Sequence, residues 1–337
     1  MTQPEVTVCE TALRNDRSDR LDEMLVRYLG PRVSGAFVDD DITDIYVNPQ
    51  DGAIRFDTRA NGKVESGEVI AAHRVEMFLN AVAASLGLTL TSEHPRLEAE
   101  LPARTFRGSR LQGFIPPITP GPAFTIRKPP AVIYSLDEYV EGEIITPAQC
   151  ATLRGAVTAH RNILIVGGTN SGKTTLANAL LHEITTKCPQ ERVVILEDTI
   201  ELQCAARDHL ALRTNGHVSL SDLVRSALRT SPNRIIVGEV RGPEALDLLD
   251  VWATGHPGGV ATLHASSAEG ALLRLDRLAQ RANVPPQPEL IAEAIQLVAV
   301  IEGGNAGRRV SELVAVDGLD AGGHFVLHHL TASGERV

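Results

Sequence analysis

The four cysteines, Cys9, Cys150, Cys188 and Cys204, lie far apart and include no C-x-x-C pair. That argues against a zinc knuckle or a disulfide frame and fits a reducing cytoplasm. No apolar run approaches the ~18 residues that span a bilayer. The start, MTQPEVTVCE, has no basic segment followed by an apolar one. A soluble, cytoplasmic protein is expected, with at most peripheral contact with a membrane. Blocks of like charge are also missing. With a net charge of -10, broad nucleic-acid binding is disfavoured, and no direct sequence-specific nucleic-acid binding is expected.

What is present is length and ordinary globular composition. Hydrophobic residues make up 43% and charged ones 22%, which sets the chain apart from disordered or fibrous classes. At 337 residues it exceeds the usual size of one core, so two domains are expected.

RSDRLDEMLVRYLGP puts Leu21, Met24, Leu25, Tyr28 and Leu29 on one helical face and stops at Gly30-Pro31. Short strands around the QDG and ANG turns come next, and then a second amphipathic helix with Val75, Phe78, Leu79, Val82 and Leu86 at its spacing. Strand-like pieces return up to Lys128. Residues 1–128 therefore read as a smaller α+β domain, and 129–146 as a linker. From Pro147 to the end, 147–337, the pattern changes. NILIVGG, RVVILED, RIIVGEV and GVATLHA are short β-branched runs separated by helical patterns, the grammar of an α/β domain whose parallel sheet is covered by helices on both faces. The last segment reads as a strand pair.

GGTNSGKTT, residues 167–175, matches G-x-x-x-x-G-K-[ST] between a strand and a helix, where that motif must sit to cradle phosphates. Gly167 and Gly172 let the backbone curl so that amide N–H groups face phosphate, and the helix N-terminus adds positive potential. Gly168, Thr169, Asn170, Ser171, Gly172, Lys173, Thr174 and Thr175 are thus expected to line a bound ATP. Lys173 would reach the β and γ phosphates, and the Thr174 hydroxyl would ligate Mg²⁺.

Hydrolysis also needs carboxylates to hold the metal and orient water. Two acidic groups stand at predicted strand ends, Glu197-Asp198 and Glu239. Glu239 is expected on the metal side and Glu197 beside the attacking water. The alternative for each is a solvated strand-end acid or a helix cap.

With LEDTIEL, VGEVRGPEA and TGHPGGVATLHA following the phosphate loop in this order, the chain resembles the secretion traffic ATPases of type II and type IV secretion, conjugation and type IV pili. Their signatures are a Walker A loop, an aspartate box, a Walker B ending in glutamate and a histidine box. DDDITDIYVN and LPARTFRGSRLQGFIPP also resemble that family's N-terminal domain. Within the family it looks most similar to the Trb-type conjugal transfer ATPases. The resemblance implies a RecA-like P-loop domain and a hexameric, Mg²⁺-dependent ATP hydrolase. It also implies work at the inner membrane with other conjugation or secretion components, for substrate transfer or pilus assembly. A nucleotide-controlled scaffold and a pilus or type II secretion motor are the alternatives.

By the same resemblance Glu197 activates water, supported by Asp198 and Glu201, and Glu239 is the Walker B glutamate. Arg110 and Arg127 match arginines brought toward the γ-phosphate, with Arg104 and Arg107 as rivals for the Arg110 role. Tyr134 or Leu136 would flank the adenine ring, or serve as linker packing. Arg225, Arg229 and Arg241 have two readings, a relay of nucleotide state or ordinary salt bridges. His264 ends a predicted strand beside Glu197 and Glu239, which makes it a candidate γ-phosphate sensor. His256, in the glycine-rich turn before that strand, is assigned to the same nucleotide site. No acid or cysteine stands near either histidine at zinc-site spacing.

Overall fold

The computed structural model describes residues 19–130, 132–303 and 307–330. It divides into two compact units, Met1–Ala131 and Val132–Val337.

The first unit is built on six strands: β1 (Ile42–Val47), β2 (Ala53–Thr58), β3 (Gly62–Val69), β4 (Arg96–Glu100), β5 (Arg110–Phe114) and β6 (Ala123–Arg127). They form one sheet in the order β3-β2-β1-β6-β5-β4, antiparallel at every pairing. Alternation sorts the faces. Leu111, Phe124 and Ile126 are buried with Val75, Phe78, Leu79 and Val82 of the helix Ala72–Ser85, while the residues between them in sequence turn outward. Gly113 has no side chain where Leu79 sits, since a Cβ there would lie 2.5 Å from Leu79 Cδ2. Leu25 and Leu29 of the helical residues 19–29 complete this core.

The second unit carries β7 (Ile163–Gly167), β8 (Val193–Glu197), β9 (His209–Arg213), β10 (Arg234–Val237), β11 (Val260–His264), β12 (Leu297–Glu302), β13 (Arg309–Leu319) and β14 (Phe325–His329). Their order is β14-β13-β12-β7-β11-β10-β8-β9. The six strands from β12 to β9 run parallel, and β13 and β14 add an antiparallel edge. Leu164 and Val166 face one core, with the helices Leu220–Ala227, Glu244–Ala253 and Ala268–Ala279. Ile163 and Ile165 face the other, with Pro147–Thr158 and Lys173–Lys187. Both faces are covered, as apolar parallel strands require. Neither β9 nor β12 stands out in the sequence. β9 is a five-residue edge strand exposed on alternate residues, and the run LVAVIE of β12 reads equally well as buried helix.

The residues expected to be a linker are structured in part. Ser135 forms a capping box with Glu138 at the start of the helix Leu136–Glu141, and Thr146 does the same with Gln149 for Pro147–Thr158. Leu136 and Tyr139 are buried in the second unit's core.

The parallel strands are joined at their N-terminal edge. The Asn162 side chain donates to the Ala294 carbonyl (2.7 Å) and accepts from Gly259 N (2.9 Å). Arg234, fully buried, pairs with Glu191 and donates to the carbonyls of Gly258 (3.0 Å) and Val157 (2.9 Å). Gly258 and Gly259 leave the room these contacts need: a Cβ would meet Arg234 Nη1 at 2.7 Å in the first and Trp252 Nε1 at 2.2 Å in the second. Among the described residues no helix is long and apolar enough to cross a membrane.

Candidate functional site

In a parallel sheet the strand C-termini share one edge, and four of them here end in polar groups or the phosphate loop. β7 ends at Gly167 and turns through residues 168–172 into the helix Lys173–Lys187. Asn170 and Gly172 hold positive φ, 59° and 103°, which makes the curl that glycine and asparagine tolerate. Lys173 folds back over the loop, its Nζ donating to the carbonyls of Gly167 (3.1 Å) and Gly168 (2.7 Å). Burial lowers its pKa, against the pull of Glu239 and Glu201.

Lys173 Nζ also lies 3.2 Å from His264 Nδ1, at the end of β11. An ammonium can only donate, so Nδ1 accepts and the ring proton belongs on Nε2, which faces Glu239 Oε1 at 3.2 Å. Burial and the Lys173 charge hold His264 below its ordinary pKa, although Glu239 opposes them, so the ring is neutral near pH 7. Burial pushes the Glu239 carboxyl up, but the hydrogen bond and charge of Arg241, with the charge of Lys173, outweigh it and hold its pKa below the ordinary value. Arg241 Nη2 donates to Glu239 Oε2 at 2.6 Å. The result is a continuous polar chain, Lys173–His264–Glu239–Arg241, across the ends of β7, β11 and β10.

Glu197 ends β8 and is 4% exposed. Its Oε1 accepts from the amides of Glu201 (3.0 Å) and Leu202 (2.9 Å). Among the described residues Oε2 makes no hydrogen bond and is left to take a proton. Burial drives the pKa up to about 7, past the opposing effect of those two amides. A carboxylate with a half-protonation point there is suited to general-base work. Gly238 makes the placement possible, since a Cβ on it would lie 2.9 Å from Glu197 Cγ. Thr262 Oγ1 donates to the Gly238 carbonyl at 2.6 Å and fixes that backbone.

The Thr174 hydroxyl donates to Glu201 Oε2 at 3.1 Å, while both Glu239 oxygens are taken by Arg241 and His264. The two residues expected to share a metal thus have different partners, and Glu201 is the acid beside Thr174. Two oxygen donors at the helix start suit a hard divalent cation. Among the described residues no three His, Cys, Asp or Glu side chains form a metal cage, so phosphate and water oxygens would supply most of the shell of a Mg²⁺ there.

Several expectations are corrected. Leu136 is fully buried in the core and cannot stack on a base; Tyr134 is half-buried, its ring edge-on to Tyr139 with centroids 6.3 Å apart. His256 lies in the turn that leads into β11, at the sheet edge opposite the phosphate loop, because the strand between it and His264 runs the whole depth of the sheet. Its Nδ1 is buried without a hydrogen-bond partner among the described residues. Only His264 joins the site. Of the arginines with two readings, Arg241 is in the chain, and Arg225 pairs with Asp247 at 2.7 Å. Asn178 was not legible as a site residue, yet it ties the Glu201 segment to the helix: its Nδ2 donates to the Glu201 carbonyl (3.2 Å) and its Oδ1 accepts from Gln203 N (2.7 Å). An asparagine in the middle of a helix, flanked in sequence by Leu176-Ala177 and Ala179-Leu180-Leu181, is the signal that could have found it.

Arg110 and Arg127 lie in the first unit, directly opposite each other on β5 and β6 and on the outward face. The row continues to Asp44 on β1 and Glu100 on β4. Arg127 Nε donates to Asp44 Oδ1 at 2.8 Å. Two arginines in register oppose each other, and the flanking acids offset the repulsion. Their rivals have acids of their own: Arg104 pairs with Asp19, and Arg107 with Asp40 at 2.7 Å.

Comparison with known proteins gives the family and the fold. The family described as "Type II/IV secretion system protein" matches residues 19–302. A probable conjugal transfer protein TrbB of Sinorhizobium fredii is 43% identical over 298 residues, 88% of this chain and 90% of that one. The conjugal transfer protein TrbB of Rhizobium radiobacter is 42% identical over 310 residues, 92% and 94% of the two chains. Among solved structures, the ATPase DotB of Legionella pneumophila superposes with a TM-score of 0.59 at 19% identity, covering 87% of this chain and 77% of that one. The ADP-bound pilus retraction motor PilT gives a TM-score of 0.56 at 21% identity, covering 87% and 79%. At such identities these two show a shared fold, RecA-like in the second unit.

Proposed function

The chain belongs to the type II/IV secretion system protein family, and from that premise we propose that it is a Mg²⁺-dependent ATP hydrolase driving a conjugative or type IV secretion apparatus. The observation that carries this reading is the joining of Lys173, His264, Glu239 and Arg241 into one chain beside the protonatable, half-free carboxyl of Glu197. A cradle that only bound nucleotide would need none of the last four.

In the proposed reaction Glu197 Oε2 accepts the proton of a water attacking the γ-phosphorus in line, while the bond from that phosphorus to the β–γ bridging oxygen breaks and ADP leaves. Phosphate oxygens replace the two loop carbonyls around Lys173 Nζ. Thr174 and Glu201 would hold a Mg²⁺, with Glu239, engaged by Arg241 and His264, adding its charge nearby; the ion would supply positive charge against the phosphates. When Lys173 turns to phosphate, His264 Nδ1 loses its donor, and the change passes through Nε2–H to Glu239 and Arg241. His264 is therefore assigned as the sensor of the terminal phosphate. A hexameric ring, a share for Arg110 and Arg127 in stabilising the transferred charge, and work at the inner membrane beside other secretion components are further parts of the proposal.

Phosphate release by the purified protein tests it. Lys173→Ala and Glu197→Gln should both abolish turnover, with Glu197→Gln still binding ATP; undiminished turnover by Lys173→Ala would overturn the assignment. Native mass with and without an ATP analogue checks the ring.

A further inference from the structure

The phosphate loop has two flanks, because β7 lies between β11 and β12. The β11 flank carries His264 and leads on to Glu239 and Glu197, the groups suited to hydrolysis. The β12 flank also touches the loop. A Cβ on Gly303, just past the end of β12, would lie 3.0 Å from Ser171 Cα and 3.3 Å from the Asn170 carbonyl oxygen. A Cβ on Gly172 would lie 3.2 Å from Arg308 Cδ and 3.5 Å from Arg308 Nε, so the arginine stem crosses the space that glycine leaves. Ser171, 3% exposed, has a hydroxyl with no hydrogen-bond partner among the described residues at this seam.

Arg308 differs from its neighbour. Arg309 pairs with Glu302 at 3.3 Å, whereas among the described residues Arg308 makes no hydrogen bond or ion pair with a carboxylate. It is exposed, and its charge acts on the buried Tyr139. A guanidinium unpaired among the described residues, with its stem against a phosphate-loop glycine, is placed to bond phosphate oxygens.

The geometry points to Arg308 as a nucleotide-binding residue that grips the α-phosphate of a nucleoside di- or triphosphate from the β12 flank. This rests on the proposed ATP site. If the terminal phosphate faces Glu197 and His264, the α-phosphate and nucleoside face the other way, toward β12. Arg308 then contributes equally to ATP and ADP, whereas His264 tells them apart.

The test is the affinity of full-length protein for ATP, ADP and inorganic pyrophosphate, read by titration calorimetry, for wild type, Arg308→Ala, Arg308→Gln and Arg308→Lys. Loss of a charge-assisted hydrogen bond predicts ATP and ADP binding about tenfold to a hundredfold weaker in the Ala and Gln variants, by the same factor for both. The Lys variant should recover part of the loss, and pyrophosphate, which can settle in the loop without an α position, should be little affected. Wild-type ADP affinity in Arg308→Ala and Arg308→Gln, with Lys173→Ala unable to bind, would overturn the role of Arg308 and leave the ATP site standing. A loss confined to ATP would also overturn it, by placing the arginine at the γ-phosphate. Absence of nucleotide binding by the wild type would instead overturn the underlying reading.

Discussion

Glu197 occupies the space that a side chain at Gly238 would need, with its Cγ 2.9 Å from the position of a Cβ there. The glycine that precedes Glu239 is thus part of how the other glutamate is aimed. Gly238→Ala forces the Glu197 side chain off its two amide donors, in a core too tight for free readjustment. The expected result is a stability loss of about 1–3 kcal/mol, with turnover falling far more than ATP affinity. Denaturant midpoints and single-turnover rates measure the two effects separately, and an unchanged rate would show that Glu197 is not the base.

The raised pKa of Glu197 has consequences of definite sign. As a base the group works only when ionised, so turnover should rise with pH through about 7 and be lost below it. Stability moves the other way. Between the ordinary value of 4.5 and about 7 the folded state holds a proton that the unfolded state has released, so this group's contribution declines as pH rises through that window and is level above it. Glu197→Gln should remove both dependences. A pH–rate profile and melts at pH 5 to 8 are the measurements.

The row Asp44–Arg127–Arg110–Glu100 separates structural from functional arginines. An exposed pair such as Arg127–Asp44 contributes at most about 1 kcal/mol, and removing one of two opposed arginines relieves repulsion. Arg127→Ala and Arg110→Ala are therefore expected to melt near wild type while losing ATP turnover in the assembled protein. A large drop in melting temperature with turnover intact would mark them as scaffold.

At the other edge of the sheet, Arg234→Met leaves Glu191 half-buried without its arginine and two carbonyls without a donor. Breaking such a pair costs about 3–5 kcal/mol, so a clear fall in the denaturation midpoint is expected. Nucleotide affinity of the protein that stays folded should hold, because the phosphate loop is at the far end of the strands.

What could be read from the sequence was local. GGTNSGKTT carries its strand, turn and helix within a short window, and Glu197, Glu239 and His264 each end a β-branched run, so topology alone brings them to one edge. The partners of those groups were not legible. Glu201 reaches Thr174 through a segment with no regular structure, and Arg308 meets Gly172 from a hairpin far along the chain. In IYSLDEY the S-x-x-E of Ser135 and Glu138 does spell a helix start, but which core the first helical residue, Leu136, enters depends on contacts distant in sequence. His256 and His264 look alike in composition, and only the direction of β11 puts them at opposite edges.

The stretch GHPGG, residues 255–259, has the makings of a flexible tether, and by composition it would be a natural place to insert a tag, a label or a new chain terminus. Packing forbids it. Gly258 and Gly259 lie under Arg234 and Trp252 with no room for one methyl group, so an insertion there would separate the strands it was meant to leave alone. A label belongs instead on the solvent side of the helix Ala268–Ala279, where Leu273 is already 46% exposed.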